Sequence, residues 1–274
     1  MFALIDALAE RLARERAVLV RVHATEGSVP REAGAWMAVF AGDILGTIGG
    51  GHLEFEAIAQ ARAWLVTPST DRPAGPEIHR QALGPSLGQC CGGVVHLAFE
   101  PLGPQDAAGL RARLAPPLSP LALFGGGHVG QALVRVLTTL PYALTWVDSR
   151  EGVFPPGLPP QVCCEHSEPV QAAVEGLVPG SAVLIMSFSH AEDLDVVAAC
   201  LRRQRVRADL ALIGLIGSRT KWATFRHRLG ARGFSEAELA GVTCPIGLPG
   251  LAGKEPEVIA VSVAAQLLMR RQAV

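Results

Sequence analysis

The spacing of apolar positions changes partway along the chain. From Phe2 to Arg16, Leu4, Ile5, Leu8 and Leu12 recur at helical intervals with charges between them, which predicts a short amphipathic helix. Ala17 to His23 is β-rich and runs into the polar turn Thr25–Arg31. Ala35–Phe40 and Ile44–Ile48, joined by Ala41, Gly42 and Asp43, predict a hairpin. Leu53, Phe55, Ile58, Ala59 and Leu65 support a second helix. A surface loop rich in Pro, Ser and Thr is expected over Thr67–Pro76, and strands over Glu77–Leu83 and Val94–Phe99.

Five prolines between Pro101 and Pro120 surround one short helical pattern, Asp106–Leu114, and are read as a boundary. The expected organisation is an N-terminal α+β domain over 1–103, a Pro-rich linker over 104–119 and a C-terminal domain over 120–274. Beyond the boundary the pattern alternates. Strands are predicted at Leu121, Ala143–Val147, Ala182–Phe188 and Leu210–Leu215. Between and after them come helices from His128, near Pro169–Glu175, near Asp195–Arg203, and from Arg219, Ser235 and Glu255. Ser235 and Glu238 fit a capping box. Such alternation implies an α/β fold whose second half is a Rossmann-like, doubly wound parallel sheet with helices on both faces.

Within that half, Leu121–Leu137 reads as strand, tight turn and helix. Gly125 would permit the turn, Gly127 would let a phosphate approach the backbone, and Gly130 would let the helix lie close on the sheet, with His128 between them. Eighteen positions after Gly130, the next strand ends in Asp148, where a dinucleotide fold places the carboxylate that holds a ribose diol. The alternative is a glycine-rich turn needed for packing alone. Asp148 would disfavour a 2′-phosphate, while Arg150 would favour one. No Lys-Ser/Thr pair follows the glycines, so a P-loop nucleotide hydrolase is not expected. A second triplet, Gly49, Gly50 and Gly51, also stands between a strand and a helix. It would be another anion-binding helix start, unless Glu54 and Glu56 satisfy its dipole instead.

Composition narrows the classes. The 274 residues carry a formal charge of -1 and a single tyrosine, which removes the basic, aromatic-rich surface of a nucleic-acid binder. No apolar run approaches a membrane span, and the opening residues lack a basic segment followed by a secretory core, so a cytoplasmic protein without membrane insertion is expected. Six cysteines, including the neighbours Cys90-Cys91 and Cys163-Cys164, have neither disulfide-framework nor zinc spacing and fit a reducing compartment.

Candidate chemistry then gathers at a few places. Cys91, with Gly92 and Gly93 after it, is the best nucleophile or soft-metal ligand, against the reading of a buried cysteine in a tight turn. Cys90, Cys163, Cys164, Cys200 and Cys244 are assigned to the core. Ser187, Ser189, His190, Asp193 and Asp195 cluster at a strand end. His190 would transfer protons, bind a metal, or cap the following helix. The next strand ends in Ser218, Arg219 and Lys221, which would hold a phosphate together with backbone amides, or else lie on a solvated surface. Pro245–Lys254 is an apolar, glycine-rich loop that would close over the crevice or meet a partner.

Several of these stretches together resemble the XdhC/CoxI family of accessory proteins to xanthine dehydrogenase and related molybdenum hydroxylases. They are Gly27–Ala35, Ile48–Glu54, Cys91-Gly92-Gly93, Phe124–Gly130, Ser189-His190, Ile216–Arg219 with Phe225–Leu229, and Pro245–Pro249. The resemblance covers nearly the whole chain in the family's order. It implies a small N-terminal domain, a Rossmann-like C-terminal domain and a cofactor chaperone, a binding protein first and an enzyme at most secondarily. Such a chaperone would bind molybdenum cofactor (Mo-molybdopterin), protect it, present it for sulfuration and deliver it to the apo-dehydrogenase. The implied partners are the molybdenum-bearing subunit of xanthine dehydrogenase, a cysteine desulfurase and a second copy in a homodimer. The family's Cys-Gly-Gly maps onto Cys91 as molybdenum ligand or sulfur relay. His52 stands where some relatives carry cysteine, a departure that bears on a second thiol ligand. The competing reading is an NAD-dependent oxidoreductase, with NAD or another nucleotide at the glycine loop. An adenylate-binding structural subunit comes third.

Overall fold

The computed structural model describes residues 2–67, 75–84, 92–251 and 253–271. They form two compact units, Met1–Pro116 and Pro117–Val274.

The first unit is a five-stranded antiparallel sheet with helices on both faces. Its strands are β1 (Ala17–Glu26), β2 (Trp36–Val39), β3 (Ile44–Gly46), β4 (Glu77–Ala82) and β5 (Val94–Leu102), in the order β3-β2-β1-β5-β4. The two-residue period of β1 divides the core. Val18, Val20 and Val22 pack under α2 (Gly51–Val66) with Leu53, Ala57 and Ala61. Ala17 and Leu19 face the other way, onto Ile5, Leu8 and Leu12 of α1 (Phe2–Leu12).

Residues 104–114, expected within a linker, belong to this unit. They form a 3-10 turn (Pro104–Gly109) and α3 (Leu110–Leu114). Leu110 and Leu114, four apart on one helical face, are buried with the α1 leucines, and Arg111 donates to Asp6 at 2.7–2.9 Å. Burying two leucines contributes about 1.5–3 kcal/mol each, which holds the proline-flanked segment against the sheet.

The second unit is a six-stranded sheet in which every pairing is parallel. Its strands are β6 (Ser119–Phe124), β7 (Tyr142–Asp148), β8 (Val162–His166), β9 (Ala182–Ile185), β10 (Leu212–Leu215) and β11 (Val242–Thr243), in the order β11-β10-β9-β6-β7-β8. Leu121 and Leu123 of β6 face α4 (His128–Leu137) and α8 (Pro256–Arg271). Ala122 and Phe124 face α5 (His190–Arg207), α6 (Arg219–Ala231) and a 3-10 helix at Val170–Gly176. The sheet is thus covered on both sides, as doubly wound folds are. After β6 the chain moves outward through β7 and β8, and then restarts from β9 in the other direction. The boundary between β6 and β9 is the topological switch point, beyond whose strand ends open α/β sheets place ligands.

Candidate functional site

The loop from β6 to α4 lies at that switch point. Gly125 has φ +119°, and a Cβ there would stand 2.0 Å from the Met186 carbonyl oxygen at the end of β9. A Cβ at Gly130 would stand 2.1 Å from the Gly125 carbonyl oxygen, so the helix and its own entry turn touch backbone to backbone. The Gly125 carbonyl also accepts from the buried Trp146 indole at 3.0 Å. Gly127 differs from both. It is exposed, has an ordinary extended backbone (φ -70°), and no atom lies within 4 Å of where a side chain would begin. It is the N-cap of α4, and no side chain caps that helix. By contrast Ser189, Ser218 and Ser235 cap α5, α6 and α7 (Glu236–Leu239). His128 is exposed beside the open turn.

Asp148, at the end of β7, is not placed to hold a ribose. It is 2 % exposed, and its oxygens are filled by the chain itself. Oδ2 accepts from the Gly126 amide at 2.6 Å and from Arg150 Nη2 at 2.9 Å; Oδ1 accepts from the Arg150 amide and Nε, each at 2.9 Å. A carboxylate has about four lone-pair sites, and all are used. Burial works to raise its pKa, but these hydrogen bonds, led by the Arg150 guanidinium, hold the carboxyl below the usual carboxylate range. Two further contacts join the end of β7 to the end of β9, across the end of β6 that lies between them. Ser149 Oγ donates to Glu192 Oε1 at 2.8 Å, and the Arg150 guanidinium sits 4.6 Å from the centre of the exposed Phe188 ring.

The ends of β9 and β10 hold a second polar group. Asp193 is 2 % exposed. It accepts from the Ser187 amide at 2.7 Å and from Lys221 Nζ at 2.6 Å, and Lys221 Nζ also donates to the Ile216 carbonyl at 2.9 Å. The Ser187 hydroxyl beside them is buried and without a partner among the described residues. The phosphate-holding trio expected at 218–221 is therefore not assembled. Lys221 turns inward to Asp193, the exposed Ser218 is spent as a helix cap, its Oγ accepting from the Lys221 amide at 3.1 Å, and Arg219 is exposed. His190 does not pair with an aspartate either. It is the exposed first residue of α5, its ring edge-on to Phe225 at 6.4 Å, while Asp193 faces Lys221 and Asp195 pairs with Arg232.

In the first unit, three of the motifs noted in the sequence meet. A Cβ on Gly93 would stand 2.5 Å from the carbonyl oxygens of Glu26 and Ser28, and one on Gly49 would stand 2.8 Å from Pro30 Cβ. The turn 27–31 thus contacts both the triplet Gly49–Gly51 and the glycine pair after Cys91. Cys91 itself lies outside the described residues, and Gly92 is exposed. The triplet is not an open anion cradle. Glu54 Oε2 accepts from Thr47 Oγ1 at 2.5 Å, from the Ile48 amide at 2.9 Å and from the Gly50 amide at 3.1 Å. Burial opposes these bonds, yet they hold the Glu54 carboxyl below its ordinary range. Gly51 is simply the first residue of α2. Glu56 is engaged with His52 at 3.1 Å.

Two of the cysteines assigned to the core are not there. Cys163 and Cys164 are exposed on β8, an edge strand whose Val162 packs against the core, whereas Cys200 is fully buried. Among the described residues no group of three His, Cys, Asp or Glu side chains is disposed to hold a metal ion. None of their helices is long and apolar enough to cross a membrane. Lys221, Glu192 and Ser149 carry much of the geometry at the crevice, but only the fold reveals it, since their partners lie 28 and 43 residues away.

Residues 121–267 match the XdhC Rossmann domain, and residues 11–72 match the XdhC and CoxI family. The uncharacterized protein YqeB of Escherichia coli (strain K12) is 29% identical over 248 residues, covering 89% of this chain and 41% of that protein. The chain therefore spans less than half the length of this relative. The crystal structure of a protein described as a xanthine dehydrogenase from Bacillus halodurans superposes with a TM-score of 0.75, covering 98% of this chain and 96% of that one. At 19% identity the likeness is one of fold.

Proposed function

Because the chain belongs to the XdhC and CoxI family, we propose that it is an accessory protein of a xanthine dehydrogenase-type molybdenum hydroxylase. In this reading it holds molybdenum cofactor by its anionic end and passes it to the apo-dehydrogenase. The observation that carries the reading is the contrast between two neighbouring groups. The start of α4 is open and uncapped at Gly127, while Asp148 is wholly spent inside the protein. An uncapped helix start offers first-turn amides and a partial positive charge to a phosphate. A saturated carboxylate offers nothing to a ribose. The ligand supported is therefore one that ends in phosphate, rather than a dinucleotide laid across the sheet.

The bound cofactor would supply a pterin with a phosphate tail and a molybdenum centre. Toward it, Gly127 and the amides of His128 and Val129 would bind the tail. The exposed Arg219, at the same edge of the parallel sheet, adds positive charge there. The Gly125–Gly130 contact keeps the turn rigid. Cys91 is proposed as the soft ligand or sulfur relay. The dehydrogenase's molybdenum-bearing subunit and a cysteine desulfurase are the proposed partners, in the cytoplasm. Membership of the family supports the dehydrogenase as this kind of partner.

The test uses Gly127→Asp. The backbone at Gly127 is one that an N-cap aspartate adopts, so the substitution puts a carboxylate where the phosphate would sit, with only a few tenths of a kcal/mol change in stability. Protein purified from cells that make molybdenum cofactor should carry pterin and molybdenum; the variant should lose the pterin and keep its melting temperature. Saturable NAD binding with no co-purifying pterin would overturn the reading.

A further inference from the structure

The outward face of α2 carries a stripe that is its own complement. Leu53, Ala57 and Ala61 bury one side of this helix in the core. On the opposite side His52, Phe55, Ala59, Arg62, Ala63 and Val66 are all exposed, with Phe55 67% and Val66 84% accessible. That side is mixed: Phe55 and Val66 present apolar surface to solvent among His52, Glu56 and Arg62. The spacing 52, 55, 56, 59, 62, 63, 66 is symmetric about Ala59. Laid antiparallel on a copy of itself with the two Ala59 residues facing, the helix would set Phe55 against Ala63, Glu56 against Arg62 and His52 against Val66. Phe55 then meets an alanine, and Glu56, which also contacts His52 of its own chain at 3.1 Å, meets Arg62, while alanine at the axis lets the backbones approach closely.

Charge selects the occupant. Arg62 has no hydrogen bond and no ion pair within 4 Å among the described residues, and Asp43, whose charge it feels across the groove, is already paired with Arg11 at 2.8 Å. Beside the stripe, an open groove of about 480 Å³ between Phe55, Ile58, Ala59 and the turn Gly42–Ile44 leaves room for an incoming helix. We infer that α2 is an isologous interface, joining two copies of this chain through Phe55–Ala63 and Glu56–Arg62 contacts about a two-fold axis at Ala59.

Sedimentation equilibrium of the full chain from about 1 to about 100 µM tests this, since one four-turn helix pair is a small interface of micromolar strength. The wild type should dimerise. Arg62→Glu and Glu56→Arg, each placing like charges in apposition, should raise the dissociation constant at least about tenfold with unchanged circular dichroism, and combining them should restore it. Phe55→Asp should leave a monomer. A wild type that stays monomeric, single reversals without effect, or a double reversal that fails to restore the dimer would each overturn the interface.

Discussion

The amide of Gly126 donates to Asp148 Oδ2 at 2.6 Å, making the last residue of β7 a strut of the glycine loop. Asp148→Asn keeps the shape but removes the charge that serves Gly126 and Arg150, and is expected to cost about 1–3 kcal/mol. The pH dependence follows from the sign of the shift. The folded carboxyl lies below its unfolded value near 3.9, so its stabilisation is complete above that pH and is lost as the pH falls through the folded value. Urea unfolding between neutral and strongly acid pH should therefore show a loss of stability in the wild type that is smaller in Asp148→Asn. Equal acid sensitivity in the two proteins would remove Asp148 from this role. Calorimetric titration with NAD should likewise give no saturable heat.

Within the same loop, Gly125 and Gly127 should respond oppositely to alanine. At Gly125 the new methyl would combine a φ of +119° with a 2.0 Å approach to the Met186 carbonyl. The expected loss is roughly 3 kcal/mol or more. At Gly127 the backbone is ordinary and the space empty, so the loss should not exceed about 1 kcal/mol, the difference between glycine and alanine at an N-cap. Denaturant midpoints of the two variants check this, and similar midpoints would refute the assignment of separate roles.

Much of this arrangement was legible in the sequence because it is written in periodicity. The apolar runs of β1 and β6, helical spacing in α1 and α4, and the glycines at 125 and 130 all report local geometry. Two strands escaped for the converse reason. β8 is half polar at the sheet edge and β11 is two residues long, so neither carries an apolar run. The linker expected at 104–119 failed because its prolines flank a helix whose two leucines are buried against α1, a contact no local pattern reports. At the candidate site, Asp148 stood at the right strand end, but the sequence could not tell whether its oxygens faced a ligand or Gly126 and Arg150. Partners that decide this, such as Glu192 for Ser149 and Lys221 for Asp193, are set by topology alone.

The Lys221–Asp193 pair is nearly buried, with side chains 12% and 3% exposed. Removing one member leaves the other charge without its partner. Lys221→Met should cost about 3–5 kcal/mol. In Lys221→Met combined with Asp193→Leu, the stranded charge is gone, and the loss should be smaller than the sum of the single losses by at least about 1 kcal/mol. Strict additivity in this double-mutant cycle would mean the two side chains are not energetically coupled.

The thiols offer a check on burial that needs no substitution. Cys200 is fully buried on the core-facing side of α5, and burial pushes its thiol up to about 12. Cys163 and Cys164 lie exposed on β8; partial burial and then the neighbouring Cys163 raise the Cys164 thiol above its ordinary value. Since the thiolate is the species that alkylates, at pH 8 Cys200 would present roughly one thiolate in ten thousand even if reagent reached it. Iodoacetamide followed by peptide mass mapping should modify the 163–164 peptide in the folded protein and Cys200 only in denaturant. Raising the pH should speed labelling at Cys164 while leaving Cys200 protected, because access limits Cys200 as much as ionisation does. Labelling of Cys200 in the folded protein at a rate comparable to that of the edge-strand pair would show that the helix α5 face of the sheet opens far more readily than its packing implies.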